Sequence, residues 1–402
     1  MHILQVGSYL PPDLVGGGET SAQNLRLVLE AAGHTVSSLR WKQAARFTLG
    51  LRIDTLQPGQ WAGRTWRPFE PIESTPGLVK AEFYVLEFLT RADTAEIRQF
   101  VASNGIDLII LRSFRGFGYD LIDKVCRAGV PVVFVLDDFA MVCMNKGMAR
   151  KGTLCASRCL QCRYVVFRNR RALGRLGQLA VVAPSRHMLE AVTTALEIDP
   201  AHCHHIPNPN AYTAIKRVRD HADPLTLGYV GRLEPDKGVP GLLDCAERLH
   251  AACGVKLVVA GQGTLTQTVA AFAATRPWVD FRGQVPSDDV HHVYDAIDVL
   301  AIPSLWPENF PGVVVHAMTS GVPCVGFAIG GIPEVIDHGQ TGFVVPFGDF
   351  AALGDRVLEL DRDRALLAAL SKGALEACLR YDPTPLARRW TDLIETMAPG
   401  EA

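Results

Sequence analysis

Short β-branched runs alternate with amphipathic segments along almost the whole chain, and that alternation constrains the fold more than any other feature. Runs such as "DLIILRS" and "PVVFVLDD" are apolar at consecutive positions rather than at every second one, so both faces of each strand require cover. The first half supplies "HILQVGSY", "TVSSLRW", "DLIILRS", "PVVFVLDD" and "LAVVAPS". The second supplies "LTLGYVGRL", "VKLVVAGQG", "VDFRGQV", "DVLAIPS", "PCVGFAI" and "GFVVPF". Helical stretches lie between them, the clearest being "GETSAQNLRLVLEAAG", which Gly33 closes. Each half is therefore expected to be an α/β, Rossmann-like doubly wound parallel sheet.

With 402 residues the chain exceeds one ordinary core, so two facing domains with a cleft between them are expected. The segment "HIPNPNAYTAIKRVRDHADP" combines Pro, Asn and charge with little periodicity and places the join near residues 207 to 223. The organisation expected is a first domain over 1–210, a second over 211–375 and a helical end over 376–402. Ligands of such sheets bind outside the carboxyl ends of the strands, which directs attention to the loops there.

The formal net charge of −2 is uninformative, but its distribution is not. From Phe139 to Leu189 there is no Asp or Glu, while Lys146, Arg150, Lys151, Arg158, Arg163, Arg168, Arg170, Arg171, Arg175 and Arg186 accumulate. One basic face is expected. Within it, "RYVVFRNRRALGRLGQL" mixes Arg with Tyr, Phe, Val and Leu, a pattern suited to an anionic membrane surface or a lipid-diphosphate acceptor, and equally to a solvated helix face. No nucleic-acid motif or aromatic stacking platform is present, so nucleic acid is not an expected partner. The start "MHILQVGSYLPPD" has no basic segment followed by a long apolar run, and a cytoplasmic location, peripheral at the inner membrane face, is expected.

Several loops carry residues that could do chemistry. In "GRLEPDKG" a strand ends at Gly231, Arg232 follows, and Lys237 opens the next helix, so a guanidinium, an ammonium and free N–H groups can converge on a diphosphate. Such a site stabilises a phosphate leaving group without a metal. Three glycines, Gly16, Gly17 and Gly18, precede the first helix, where backbone can approach a ligand closely; the "AGQGT" loop at Gly261 is similar. In "WPENFPGVVVHAMTSG", Glu308 and Asn309 follow the strand "DVLAIPS" and lie at the ligand edge of the second sheet. A carboxylate there accepts hydrogen bonds from sugar hydroxyls and repels phosphate, so it suits a glycosyl group beyond the phosphates.

These stretches, together with "GGGE", "APSRHM", "IPNPN", "FRGQV" and "SGVPCVGFAIGGIPEVIDHGQTGFVVP", resemble the retaining glycosyltransferases of the two-Rossmann-domain GT-B fold, family GT4 (glycosyltransferase group 1), over nearly the whole chain. The resemblance implies that Arg232 and Lys237 hold the diphosphate of a nucleotide sugar. It implies that Glu308, with Asn309, Phe310 and Pro311, contacts the donor sugar, that Gly283, Gln284 and Val285 hold the base, and that Gly17 and Gly18 lie near the diphosphate and acceptor. It implies that the final helix packs back on the first domain, and that the chemistry needs no metal cofactor. The acceptor implied is a hydroxyl of a glycan or lipid-linked glycoconjugate. Two positions depart from the family. His316 stands where a second Glu usually binds the ribose; its imidazole can bond a hydroxyl, with the cationic form favoured beside a diphosphate. Asp137 and Asp138 stand where a His-Asp pair near the transferred sugar is frequent. A non-catalytic nucleotide- or glycan-binding homologue, and a nucleotide-sugar epimerase on the same plan, remain alternative readings.

The run "CMNKGMARKGTLCASRCLQC" sets Cys143, Cys155, Cys159 and Cys162 within one loop. Four thiolates so placed can close a tetrahedral structural Zn site; an iron–sulfur centre and free thiols are the alternatives.

Overall fold

In a computed structural model, the residues described are 1–7, 10, 17–39, 60–61, 94–112, 121–144, 146–150, 153–209, 224–286 and 289–398. Gly16, Lys151 and the predicted join over 210–223 lie outside them. The strands are β1 (His2–Val6), β2 (Thr35–Leu39), β3 (Gln60–Trp61), β4 (Leu108–Leu111), β5 (Val132–Val135), β6 (Ala149–Arg150), β7 (Thr153–Leu154), β8 (Leu179–Ala183), β9 (Cys203–His205), β10 (Thr226–Val230), β11 (Lys256–Ala260), β12 (Val279–Gly283), β13 (Val299–Ile302), β14 (Cys324–Phe327) and β15 (Gly342–Val345). The helices are α1 (Gly17–Ala31), α2 (Thr94–Ser103), α3 (Leu121–Val125), α4 (Leu160–Leu173), α5 (Arg186–Leu196), α6 (Val239–Cys253), α7 (Thr266–Ala274), α8 (His291–Asp295), α9 (Gly312–Thr319), α10 (Ile332–Val335), α11 (Phe350–Arg362), α12 (Arg364–Ala377) and α13 (Pro383–Thr396).

Two parallel sheets result. The first has the order β3-β2-β1-β4-β5-β8-β9 and the second β12-β11-β10-β13-β14-β15. In each, the chain runs outward from a central strand and then restarts on its other side. The order therefore reverses between β1 and β4 in the first sheet and between β10 and β13 in the second, and at such a point the loops leaving the two strands diverge and open a crevice. A separate two-stranded sheet is formed by the antiparallel β6–β7 hairpin. The described residues form two compact units. One is drawn from Met1–Met148, Cys155–Asn210 and Thr384–Ala402, the other from Ala149–Leu154 and Ala211–Pro383.

The consecutive apolar positions are sorted by the two-residue period of the strand. Leu4, Val6, Ile109, Leu111, Val132, Phe134, Val181 and Ala183 point to one face of the first sheet, where α5 supplies Met188 and Val192 and α4 supplies Cys162 and Val166. Their neighbours Ile3, Leu108, Ile110, Val133, Val135, Ala180 and Val182 point to the other, against Leu25 and Leu29 of α1. The same face receives Trp390, Leu393, Ile394 and Met397 from α13 and the residues after it. The last helix is thus part of the first unit's core although more than 170 residues separate it from Ile206, the preceding core residue of that face. Arg389 also donates to the carbonyl of His205 beside β9. Among the described residues no helix is long and apolar enough to cross a membrane.

Trp390 is 0% exposed in this cluster. Trp390→Ala is therefore expected to destabilise the first unit by about 3–5 kcal/mol, through lost burial and an unfilled cavity. Urea denaturation followed by circular dichroism measures it, and a loss under about 1 kcal/mol would show that α13 is not integral to that core.

Candidate active site

The glycines at the carboxyl ends of β10, β11 and β12 bring three loops together. Gly231 donates its N–H to Ala260 O at 3.0 Å and Gly261 donates to Gly283 O at 2.7 Å. A Cβ on Gly261, where φ is +146°, would lie 1.8 Å from the Gly231 carbonyl oxygen, so no larger residue fits this approach. Gly231 and Gly261 are thus held side by side, with Gly283, Gln284 and Val285 following the next strand. Glu234 ties the same loops together, accepting from Thr264 N at 3.0 Å and from Thr264 Oγ1 at 2.5 Å.

Arg232 leaves this edge exposed to solvent and makes no ion pair among the described residues. Its backbone is fixed by Tyr229, a buried phenol that donates to the Arg232 carbonyl at 2.6 Å. Burial, reinforced by the charge of Glu308, pushes the Tyr229 hydroxyl well above its ordinary range, so it stays a donor. Nothing in the sequence marked Tyr229 for this role, because it reads as one more apolar strand residue.

Lys237 and Glu308 meet across the second reversal point. The turn Pro235–Lys237 ends at Gly238, whose φ is +72° and whose Cβ would lie 1.9 Å from Pro303 O at the end of β13. Leu305 N donates to Asp236 O at 2.8 Å, fastening the same turn to the loop after β13. Lys237 Nζ then lies 2.7 Å from Glu308 Oε1, with side chains 16% and 18% exposed, and Ser304 Oγ donates to the same oxygen at 2.6 Å. The Glu308 backbone is held too: its carbonyl accepts from Gly331 N at 2.6 Å, and a Cβ on Gly330 would strike that carbonyl at 2.3 Å. The two residues expected to serve phosphate and sugar separately are therefore hydrogen-bonded to one another. A half-buried pair of this kind is screened less than a surface one.

Beyond Glu308, Asn309 is half-buried, Pro311 leads into α9, and the Phe310 ring packs edge-on to Tyr381 at 5.6 Å. His316 stacks on Tyr294 with ring centroids 5.6 Å apart. Burial of this α9 side chain pushes its pKa down from 6.5 to about 3, because desolvation penalises the charged ring, so the neutral imidazole is favoured. Above pH 6.5 this costs no stability. As pH falls from 6.5 towards 3 the unfolded chain takes up a proton that the folded chain refuses, so stability declines. In His316→Gln the unfolding free energy is expected to fall less steeply between pH 6.5 and pH 5, and the wild-type imidazole NMR signal is expected not to shift over that interval.

In the first unit the reversal point lies between β1 and β4. Arg112 immediately follows β4, with a side chain only 2% exposed. It grips Asp137, beyond β5, through Nη2–Oδ1 at 2.5 Å and Nε–Oδ2 at 3.0 Å, and donates from Nη2 to Ser21 Oγ of α1 at 3.1 Å and to Gly18 O at 3.5 Å. Nη1 is buried with no partner among the described residues. Asp138 accepts from Ala140 N at 2.7 Å, capping the turn at Phe139–Met141, and lies 3.6 Å from Lys146. Of the two residues expected at the sugar or acceptor, Asp137 therefore answers a buried guanidinium and Asp138 caps a turn. The sequence reading missed Arg112, since a single Arg after a strand has no motif around it. Gly17 and Gly18 begin α1. A Cβ at Gly17 would meet nothing within 4 Å and one at Gly18 would only touch Asp137 Cγ at 3.9 Å, so internal packing does not require glycine at either place.

All ten cysteines are free thiols. The Cys162 sulfur lies 3.5 Å from Cys159 Sγ and also interacts with Cys143, and burial pushes its thiol up to about 12. Among the described residues, however, no group of three or more His, Cys, Asp or Glu side chains has the geometry to hold a metal ion. The four-cysteine Zn or iron–sulfur centre expected from spacing is thus not assembled among the described residues, and Cys143 and Cys162 are core residues of the first sheet, packed among apolar groups.

Removing one partner of the Arg112–Asp137 pair leaves a buried charge unanswered, so Arg112→Ala is expected to cost about 3–5 kcal/mol. The double change Arg112→Met/Asp137→Leu should cost clearly less than the two single changes summed. Additive losses in a double-mutant cycle by urea denaturation would show that the contact carries no coupling.

Comparison with known proteins adds to this geometry. Residues 224–363 match the family model for "Glycosyl transferases group 1", and residues 16–209 match that for a "Glycosyl transferase 4-like domain". The chain is 33% identical over 175 residues to a 2-deoxystreptamine N-acetyl-D-glucosaminyltransferase of Streptomyces fradiae, covering 41% of each. It is 30% identical over 181 residues to a phosphatidyl-myo-inositol mannosyltransferase of Mycobacterium leprae, covering 43% of this chain and 47% of the relative. The match thus spans less than half the length of either relative. Among solved structures it is similar to a sucrose-phosphate synthase of Thermosynechococcus elongatus, with TM-score 0.72, 18% identity and 98% of both chains covered. It is similar also to the Anabaena protein HepE in complex with UDP, with TM-score 0.64, 18% identity, and 98% and 100% covered. Those likenesses identify the fold as GT-B.

Proposed function

This chain belongs to the group 1 glycosyltransferases, and from that premise we propose that it moves a sugar from a nucleoside diphosphate sugar to a hydroxyl acceptor with retention at the anomeric carbon. The observation that carries the reading is the arrangement at the second reversal point: an exposed Arg232 at the end of β10, on the loop whose Lys237 is paired with Glu308. A diphosphate arriving there meets a guanidinium that can bind two oxygens at once. Lys237 has three N–H donors, so it can keep Glu308 and still give one to phosphate. Glu308 repels a phosphate oxygen but accepts from sugar hydroxyls, which orders the donor with its phosphates toward Arg232 and its sugar toward Glu308.

In the proposed step the acceptor oxygen attacks the anomeric carbon from the face that the diphosphate leaves. The bond from that carbon to the phosphate oxygen breaks, its electron pair stays on the diphosphate, and the acceptor proton passes to the departing oxygen. Arg232 and Lys237 stabilise the charge that develops there, so this step needs neither a protein base nor a divalent metal. Gly283, Gln284 and Val285 bind the base, neutral His316 bonds a ribose hydroxyl, Asn309, Phe310 and Pro311 flank the sugar, and Gly17 and Gly18 serve the acceptor side. We assign the activity to the cytoplasm, in assembly of a surface glycan or another glycoconjugate.

Arg232→Ala is expected to lower kcat/KM for transfer by about 10²-fold or more, roughly 2.7 kcal/mol of leaving-group stabilisation, with Arg232→Lys recovering part of it. Product formation over panels of nucleotide sugars and acceptors measures the effect. Transfer within about threefold of wild type, below about 1 kcal/mol, would remove Arg232 from the reaction.

A further inference from the structure

The Arg-rich segment singled out in the sequence forms α4, and the helix is sharply two-faced. Cys162, Val165, Val166, Asn169, Ala172 and Leu173 are buried against the first sheet. On the opposite side Leu160 is 80% exposed, Phe167 61% and Tyr164 47%. At about 100° per residue these three project within roughly a 60° arc, so they form one crest. Seven large apolar side chains are exposed among the described residues, and three of them stand on this crest, so it is a patch rather than scattered exposure.

The charge on the helix that bears the crest is of one sign. Arg171 projects along it, Arg163 and Arg170 flank one side, Arg168 flanks the other, and α4 contains no Asp or Glu. Arg170 is engaged by Glu197 and Arg168 lies over the Tyr164 ring at 5.9 Å to its centroid. Between α4 and α5 an open groove of about 710 Å³ is lined by Arg158, Arg163, Phe167, Arg170 and Arg171, with Glu197 as its single carboxylate.

We propose that α4 is a docking surface for an anionic phospholipid bilayer, with Leu160, Tyr164 and Phe167 entering the acyl boundary and the flanking arginines binding lipid phosphates. A narrow convex apolar crest bordered by guanidinium groups matches the interface of a bilayer, in which the arginine stems lie along apolar surface while their heads reach the phosphates. The groove beside Phe167 admits a headgroup, and a guanidinium binds phosphate through two parallel hydrogen bonds. The full absence of acidic side chains along α4 removes the repulsion that an anionic leaflet would otherwise meet. This inference does not depend on the proposed transfer reaction.

Flotation of the full chain with vesicles of phosphatidylcholine, with and without phosphatidylglycerol, tests it. Binding is expected to be at least about tenfold stronger on the anionic vesicles and to weaken with added salt. The pair Leu160→Asp/Phe167→Asp is expected to reduce anionic-vesicle binding at least about tenfold, and Arg163→Gln/Arg171→Gln to reduce it while flattening its salt dependence. Both pairs change exposed positions only, and circular dichroism and thermal unfolding should match wild type. Failure of the wild-type chain to float with anionic vesicles would overturn the proposal. So would equal binding to neutral vesicles, or binding that survives loss of the apolar crest, which would be attraction of charge alone.

Discussion

The contact between Lys237 and Glu308 joins the two loops on which the second sheet's chemistry depends. One loop leaves β10 and the other leaves β13, the neighbours between which the strand order reverses, and the two side chains are 71 positions apart in the sequence. The contact forms because Gly238 lets the first loop pass against Pro303, and because Gly330 and Gly331 cradle the backbone of Glu308. Ser304 completes it from the same side as Lys237. Both donors converge on Oε1, which fixes the orientation of the carboxylate.

The first unit solves a related problem differently. At its own reversal point the charged pair is Arg112 and Asp137, and Arg112 is almost wholly buried. It is bidentate, bonded to Ser21 and in reach of the Gly18 carbonyl, so it connects the ends of β4 and β5 to the start of α1. A buried pair contributes little net stability compared with an apolar equivalent, but its several directional bonds fix the shape of the loop ends.

Much of the architecture was legible in the sequence because parallel strands buried on both faces have an unmistakable pattern. Every strand run quoted from the sequence forms a strand of one of the two sheets. The exceptions are β3 and β9, which are two and three residues long, and "CHH" has no apolar run to announce it. The site was legible at the level of loops: Gly231, Arg232, Lys237, Gly261 and Glu308 could be placed at the carboxyl edge from strand ends alone. What could not be read were contacts made by tertiary packing. Arg112 has no motif, Tyr229 resembles any buried strand residue, and the protonation of His316 depends on desolvation by burial. The cysteine spacing pointed to a metal, but Cys143 and Cys162 are drawn into the apolar layer under α4 and α5.

The central claim is that Arg232 and Lys237 receive a nucleoside diphosphate while Glu308 faces the group attached to it. A crystal structure of the chain with a bound nucleoside diphosphate tests this most directly. The account predicts phosphate oxygens within about 3 Å of Lys237 Nζ and of the Arg232 guanidinium, with the terminal phosphate directed toward Glu308. A nucleotide bound away from the ends of β10 and β13, with Arg232 still in solvent, would contradict it.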